Sequence, residues 1–91
     1  MQRDSKASCA KRLNRIEGQV RGIARMIEED RYCIDIVTLI VAVRAALRRV
    51  QDEILRDHVA HCVSHAIASG NKAEQRRKVA ELTSVLGRAE R

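Results

Sequence analysis

The side chains with the most varied chemistry in this chain are its histidines and cysteines, three of each. All three histidines and one cysteine fall in the short stretch "DHVAHCVSHAI", residues 57–67. His58 and Cys62 are four residues apart, so they share one face if this stretch is helical. A thiolate and an imidazole suit soft and borderline metal ions. The spacing therefore indicates a metal-ligand pair, although each residue alone is more typical of an ordinary packed helix.

The elements that would position these side chains are helices, because the chain contains no proline, only four glycines and a single aromatic residue. Apolar residues recur at alternating three- and four-residue intervals, which is typical of amphipathic helices. We predict an all-α fold, a three-helix protomer with a long central helix, as one domain over residues 1–91. The helices are expected at about 5–29, 34–69 and 73–87. Ser5 or Ser8 is a candidate N-cap, and Gly70 a candidate C-cap.

Cys33 falls on the same edge of the predicted central helix as His58 and Cys62. It is 25 residues from His58, about 38 Å along a helix axis, so one helix cannot bring them together. Two antiparallel copies can, with Cys33 from one chain and His58 and Cys62 from the other. We therefore predict a homodimer packed as an antiparallel four-helix bundle. Two thiolates and one imidazole form a soft three-coordinate set that suits Cu(I), whereas zinc would require a fourth ligand.

The charge of the chain favours an acidic polymer as partner. The formal net charge is +6, and the first 27 residues carry seven basic and two acidic side chains. Such a basic face on a symmetric oligomer is what phosphate contacts require, and the basic composition adds Arg15 and Arg48 as candidate contacts. The longest apolar run, "IVTLIVAV" at 36–43, is too short for a membrane span. We expect a cytoplasmic protein with no membrane partner and three reduced cysteines.

Several segments together resemble the copper-sensitive operon repressor (CsoR/RcnR) family. They are "RLNRIEGQVRGIARMIEEDRYCIDI" (12–36), "AVRAALRRV" (42–50), "DHVAHC" (57–62) and "VAEL" (79–82). The spacing Cys-x24-His-x3-Cys is part of this resemblance. It implies an antiparallel dimer, a homotetramer built as a dimer of dimers, and binding of double-stranded operator DNA by the metal-free protein. It also implies release of the DNA on effector binding, which derepresses copper-resistance genes.

The resemblance also implies roles for individual residues. The Cu(I) ligands would be Cys33, His58 and Cys62. Two residues would stand next to the metal site, Tyr32 and Glu81, the latter if the extra residues after Gly70 form an insertion. The DNA contacts would include Arg12 and Arg49.

Relatives in this family respond to different effectors, and the sequence favours one of them. Nickel- and cobalt-responsive relatives generally use a further nitrogen ligand near the N-terminus, and no histidine precedes His58 here. Formaldehyde-responsive relatives lack the equivalent of Cys62, and persulfide-responsive relatives generally lack that of His58. A persulfide sensor using Cys33 and Cys62, or a nickel or cobalt sensor, stays the alternative to a copper sensor.

Proteins of other classes fit the sequence less well. A copper buffer or chaperone would have no use for the basic first helix. An enzyme is not expected, because there is no Cys-x-x-Cys pair and no evident nucleophile–base arrangement. The roles of Cys9, His61 and His65 stay open.

Overall fold

The computed structural model describes residues 1–89, and helices joined by short turns make up this part of the chain. Helix α1 spans Arg3–Glu28 and helix α2 spans Cys33–His58. A π-helical segment, Val59–Val63, leads directly into the short helix α3, Ser64–Ala68, and helix α4 spans Lys72–Ala89. No strand occurs within these residues. The predicted all-α fold is confirmed.

The start of α1 differs from the prediction. The helix begins at Arg3 with Gln2 as N-cap, and no side chain caps it. Ser5 and Ser8 both lie inside the helix, so the prediction that one of them caps it was wrong. The hydroxyl of Ser8 instead donates a hydrogen bond to Glu53 Oε2 at 3.3 Å.

The predicted central helix over 34–69 is also interrupted. Residues 59–63 have π-helical hydrogen bonding, so a uniform α-helix was the wrong prediction for this segment. A π turn closes its hydrogen bonds to the fifth residue rather than the fourth. Each residue there therefore rotates by less than the 100° of an α-helix. This changes the angular position of Cys62 relative to His58 from the one expected.

The turn between α1 and α2 and the turn between α3 and α4 each contain a left-handed residue. Asp30 has φ 53° and Gly70 has φ 71°. At the first turn the Asp30 N–H donates to the Ile27 carbonyl at 3.2 Å and the Arg31 N–H to the Met26 carbonyl at 3.0 Å. This is the Schellman arrangement, in which glycine is the usual left-handed residue. The Gly70 cap was predicted, whereas the left-handed Asp30 was not.

The described chain divides into two compact units, residues 1–55 and the part that begins at Arg56; a single domain over 1–91 stays a prediction. The core of the first unit is made by residues at seven-residue intervals on two helices. From α1 these are Cys9, Ile16 and Ile23, and from α2 they are Val43 and Val50. A seven-residue repeat keeps one face of each helix against the other over several turns. Burial of each isoleucine or valine of this set stabilises the fold by about 1.5–3 kcal/mol.

The second unit contains the π-helical segment, α3 and α4. Ala66 of α3 is fully buried, and Asp57 is buried as well. The carboxamide oxygen of Asn71 accepts a hydrogen bond from the Glu74 N–H at 3.1 Å, which caps the start of α4. None of the helices within residues 1–89 is both long and apolar enough to span a membrane.

Candidate functional site

Cys33 is the first residue of α2, and its position is determined by the residue before it. The Tyr32 carbonyl accepts hydrogen bonds from the backbone N–H groups of Asp35 at 3.1 Å and Ile36 at 3.3 Å, which begins the helix. The Cys33 thiol is free and exposed. The Tyr32 ring is exposed too. Both side chains are therefore accessible at the helix start.

His58 and Cys62 lie at the other end of α2. His58 is the last residue of the helix and is half-buried, while Cys62 belongs to the π-helical segment and has a free, exposed thiol. The Ser64 hydroxyl donates to the Val59 carbonyl at 3.3 Å, five residues back, across this segment. π turns of this kind often occur at functional sites. Here the segment contains one of the two thiols predicted to bind metal.

The three predicted ligands do not meet within one chain. Cys33 and His58 are the first and last residues of one 26-residue helix. Within residues 1–89, no three His, Cys, Asp or Glu side chains come together in a way that could hold a metal. A site shared between two chains stays a prediction.

Glu81 and His61 each have another partner in this chain. The Glu81 carboxylate lies 3.7 Å from Lys78 Nζ, and no hydrogen bond joins it to His58 in the described structure. His61 Nε2 lies 3.8 Å from Oδ1 of the buried Asp57. The histidine side chain is 43% exposed and the carboxylate only 7%. His61 thus contacts a buried acid, which agrees with a structural role.

Cys33 also belongs to a row of exposed residues on α2. The row repeats every seven residues, and its other members are Ile40, Leu47 and Ile54, exposed by 40%, 44% and 39%. Helix α1 has a matching row of exposed apolar residues, again seven apart. These are Leu13, Val20 and Ile27. Each long helix therefore buries one row of residues, seven apart, against the other helix of the same chain, and leaves a second such row exposed.

A basic groove runs between α1 and α2 within residues 1–55. It encloses about 690 Å³, and alanines of α2 line one side of it. Four cationic side chains surround it: Lys11, Arg12, Arg15 and Arg49. Small residues let a ligand approach the helix backbone closely, and the cations are suited to phosphate oxygens. Three of the four arginines predicted to contact DNA thus lie together, while Arg48 is exposed and does not line the groove.

Two residues at this groove were not predicted as site residues. Lys11 lines it directly, and its place next to Arg12 in the sequence could have indicated this. Glu53 lies beside it, with Oε2 3.9 Å from Arg12 Nε. No local pattern indicated Glu53, because its link to α1 arises only when the two helices pack.

Comparison with known proteins identifies the family. Residues 5–88 match the family model described as metal-sensitive transcriptional repressor. This chain belongs to that family. The resemblance inferred from the sequence motifs is confirmed, and the protein is a transcriptional repressor rather than an enzyme.

Two similar proteins carry names that describe copper-sensing repressors. The copper-sensing transcriptional repressor RicR of Mycobacterium tuberculosis is 53% identical over 83 residues, which is 91% of this chain and 85% of the relative. The copper-sensing repressor CsoR of Bacillus subtilis is 58% identical over 60 residues, 66% of this chain and 59% of that protein.

Two solved structures share the fold of this repressor. The copper-sensing repressor CsoR with Cu(I) from Geobacillus thermodenitrificans superimposes with a TM-score of 0.90 at 41% identity, covering 100% of this chain and 92% of that one. The nickel-responsive regulator InrS gives a TM-score of 0.74 at 40% identity, covering 90% and 89%. Because these two neighbours are named for different metals, the effector has to be inferred from the donor set of this chain.

Proposed function

We propose that this repressor binds operator DNA as the metal-free protein and releases it when Cu(I) binds, which derepresses copper-resistance genes. The observation that carries the proposal is the donor set, namely the exposed thiols of Cys33 and Cys62 with the half-exposed imidazole of His58. Two thiolates and one imidazole form a soft trigonal set, and Cu(I) accepts it. The copper-named relatives and the structural neighbour with Cu(I) support this choice.

The exposed heptad rows indicate how two chains would complete the site. Consider an antiparallel pair of α2 helices whose two-fold axis passes through Leu47. In this pair, Cys33 of one chain would lie opposite position 61 of the other. Position 61 falls between His58 and Cys62 in the sequence, so Cys33 would lie near both of these ligands. The rows of both long helices would then be buried in a four-helix bundle. The apolar seam and the metal site would thus belong to the same interface, and each dimer would have two equivalent sites.

A second exposed apolar patch on α2 offers a surface for pairing these dimers into a tetramer. Ile34, Val37 and Val41 are each more than half exposed, with exposures of 58%, 53% and 57%. They lie on a different side of the helix from Leu47, given 100° of rotation per residue. We propose a dimer of dimers in which these residues are covered.

The basic groove would contact the DNA backbone. Arg12, Arg15 and Arg49 converge on it from two helices, and we assign Arg48 to a separate contact, as a neighbouring exposed residue on α2. A tetramer would present four copies of each residue, so affinity should fall steeply with salt as counterions are released. A protein that acts in this way would be located in the cytoplasm with the DNA.

Release would follow from linkage between the metal site and the DNA surface. When bound, Cu(I) supplies a bond that ties two chains together at their helix ends. His58 would pass this change on, since an imidazole that binds metal through one nitrogen can donate a hydrogen bond from the other. Glu81 is the proposed acceptor, and it would have to leave Lys78 to take this role. Tyr32, next to Cys33, would shield the site.

The test is an anaerobic titration of the reduced repressor bound to operator DNA. Cu(I), Ni(II) and a persulfide donor are added in parallel, and release is followed by fluorescence anisotropy. We expect release by Cu(I) alone, near one ion per chain. Release by persulfide alone would instead make Cys33 and Cys62 a redox pair, and release by Ni(II) alone would indicate a nickel sensor.

A further inference from the structure

The guanidinium of Arg12, at the proposed DNA interface, has an anionic neighbour within its own chain. Arg12 Nε lies 3.9 Å from Oε2 of Glu53, and the Ser8 hydroxyl donates a hydrogen bond to the same oxygen at 3.3 Å. The Glu53 side chain is 25% exposed, whereas that of Arg12 is 49% exposed. The carboxylate is therefore held in place, while part of the guanidinium stays open to an incoming ligand.

A restrained carboxylate beside a phosphate-binding groove opposes DNA binding. Phosphate contacts dominate the affinity of proteins for DNA, and a nearby negative charge repels the phosphates and offsets part of the arginine charge. The hydrogen bond from Ser8 and the partial burial hinder the carboxylate from moving away. A phosphate and Glu53 would therefore compete for one guanidinium.

Building on the proposed function, we propose that Glu53 is an internal counter-ion of Arg12 that weakens the binding of operator DNA by competing with a DNA phosphate. The effect would be specific to Arg12. The other three cations of the groove, Lys11, Arg15 and Arg49, have no acidic partner within residues 1–89. Glu53 would thereby set how tightly the metal-free repressor holds DNA, independently of the metal ligands.

The decisive variant is Glu53→Gln, compared with wild type as the metal-free, reduced protein on operator DNA. Glutamine keeps the size of the side chain and can still accept the hydrogen bond from Ser8. We expect binding to tighten by about two- to fivefold, from the range typical of partly exposed ion pairs. The gain should shrink as salt is raised, because screening weakens the repulsion that the substitution removes.

The matched control is Glu17→Gln, which removes the same charge from α1. Glu17 pairs with Arg21 at 3.1 Å, both side chains are exposed, and Arg21 does not line the groove, whereas Arg12, the partner of Glu53, does. We expect little change in DNA affinity from this variant. Equal tightening by both substitutions would mean that net charge alone matters, and it would overturn the proposal.

A double-substitution cycle tests whether the effect runs through Arg12. In an Arg12→Gln background, Glu53→Gln should tighten binding clearly less than it does in wild type, because only the direct repulsion between the carboxylate and the phosphates remains to be removed. A gain of the same size there, or weaker binding by Glu53→Gln alone with an unchanged melting temperature, would overturn the proposal. If Glu53→Gln does not fold, Ser8→Ala, which frees the carboxylate, should tighten binding in the same direction, and unchanged or weaker binding would count against it.

The two proposals can fail separately. Normal operator binding by wild type with no effect of these variants would overturn the role of Glu53 alone. Wild type that binds operator but keeps it in the presence of Cu(I) would overturn the copper-responsive function, while the counter-ion role would still be decided by the metal-free measurements. Wild type that binds no operator DNA would overturn both.

Discussion

Among the three proposed ligands, His58 is the one that can couple metal binding to a change elsewhere in the protein. The sulfur of a thiolate is its one polar atom. When that sulfur binds the ion, Cys33 and Cys62 have no second polar atom that could donate a hydrogen bond to another residue. An imidazole has two nitrogens, and a hydrogen bond from the second one couples metal binding to a partner. In the single chain described here Glu81 pairs with Lys78 instead. Metal binding would thus exchange one partner of Glu81 for another.

We therefore expect His58→Ala to separate copper binding from DNA release. The variant should still bind Cu(I) through the two thiols, but it should lose most of the coupling free energy, which is typically about 1–3 kcal/mol in allosteric proteins. DNA affinity with and without Cu(I) measures this coupling. His65→Ala, an exposed histidine outside the proposed set, is the control and should behave as wild type. Full Cu(I)-driven release by His58→Ala would rule out this route.

At the scale of elements, one turn places a residue with a side chain in a backbone conformation that favours glycine. Asp30 adopts φ 53° at the end of α1, in the position where Gly70 stands at the other turn. A residue with a Cβ is disfavoured there, by roughly 1–2 kcal/mol, although aspartate tolerates it better than most. The first turn is therefore less favourable than the second, and it is the turn that leads directly to Tyr32 and Cys33.

Replacement of Asp30 by Gly should stabilise the protein. We expect a gain of about 1 kcal/mol, since glycine adopts the left-handed conformation without steric cost. The reverse substitution, Gly70→Ala, should destabilise by a similar amount. Thermal unfolding at equal protein concentration measures both, and a lower melting temperature for Asp30→Gly would contradict the expectation.

At the scale of the whole molecule, the two heptad rows determine what a second chain can cover. One row, with Ile16 and Val43, is buried within residues 1–55, and the other, with Val20 and Leu47, is exposed. A small chain that leaves this much apolar surface uncovered is expected to associate. Because Cys33 continues the exposed row of α2, association and metal binding would depend on the same register.

This register predicts that Leu47 meets its own copy. In a background with the three native cysteines replaced by serine, Leu47→Cys should form a disulfide-linked dimer on mild oxidation. Helix axes 8–10 Å apart bring facing Cα atoms within disulfide range. Ile40→Cys is the control, because it would face position 54 of the partner and should cross-link poorly. Equal cross-linking, measured by non-reducing electrophoresis, would exclude the register.

The amino-acid sequence was sufficient to predict the helical class, the seven-residue apolar repeats and the basic first helix, and to propose Cys33, His58 and Cys62 as a donor set. These features depend on residue type and on short spacings along the chain. Because a helix has a fixed periodicity, such spacings predict which residues share a face without a structure. The family followed from the same motifs, and the comparisons confirmed it. The roles of the individual ligands stay predictions.

Features that depend on packing or backbone strain became visible only in the folded structure. The π-helical segment at 59–63 and the left-handed Asp30 leave no periodic pattern in the sequence. Residues 45 positions apart, Ser8 and Glu53, meet because α1 and α2 pack along their buried row. The same packing gathers Arg12 and Arg49 at one groove and leaves Arg48 outside it. Spacing along a helix is local information, whereas the partner of a side chain across two helices depends on how those helices are rotated against each other.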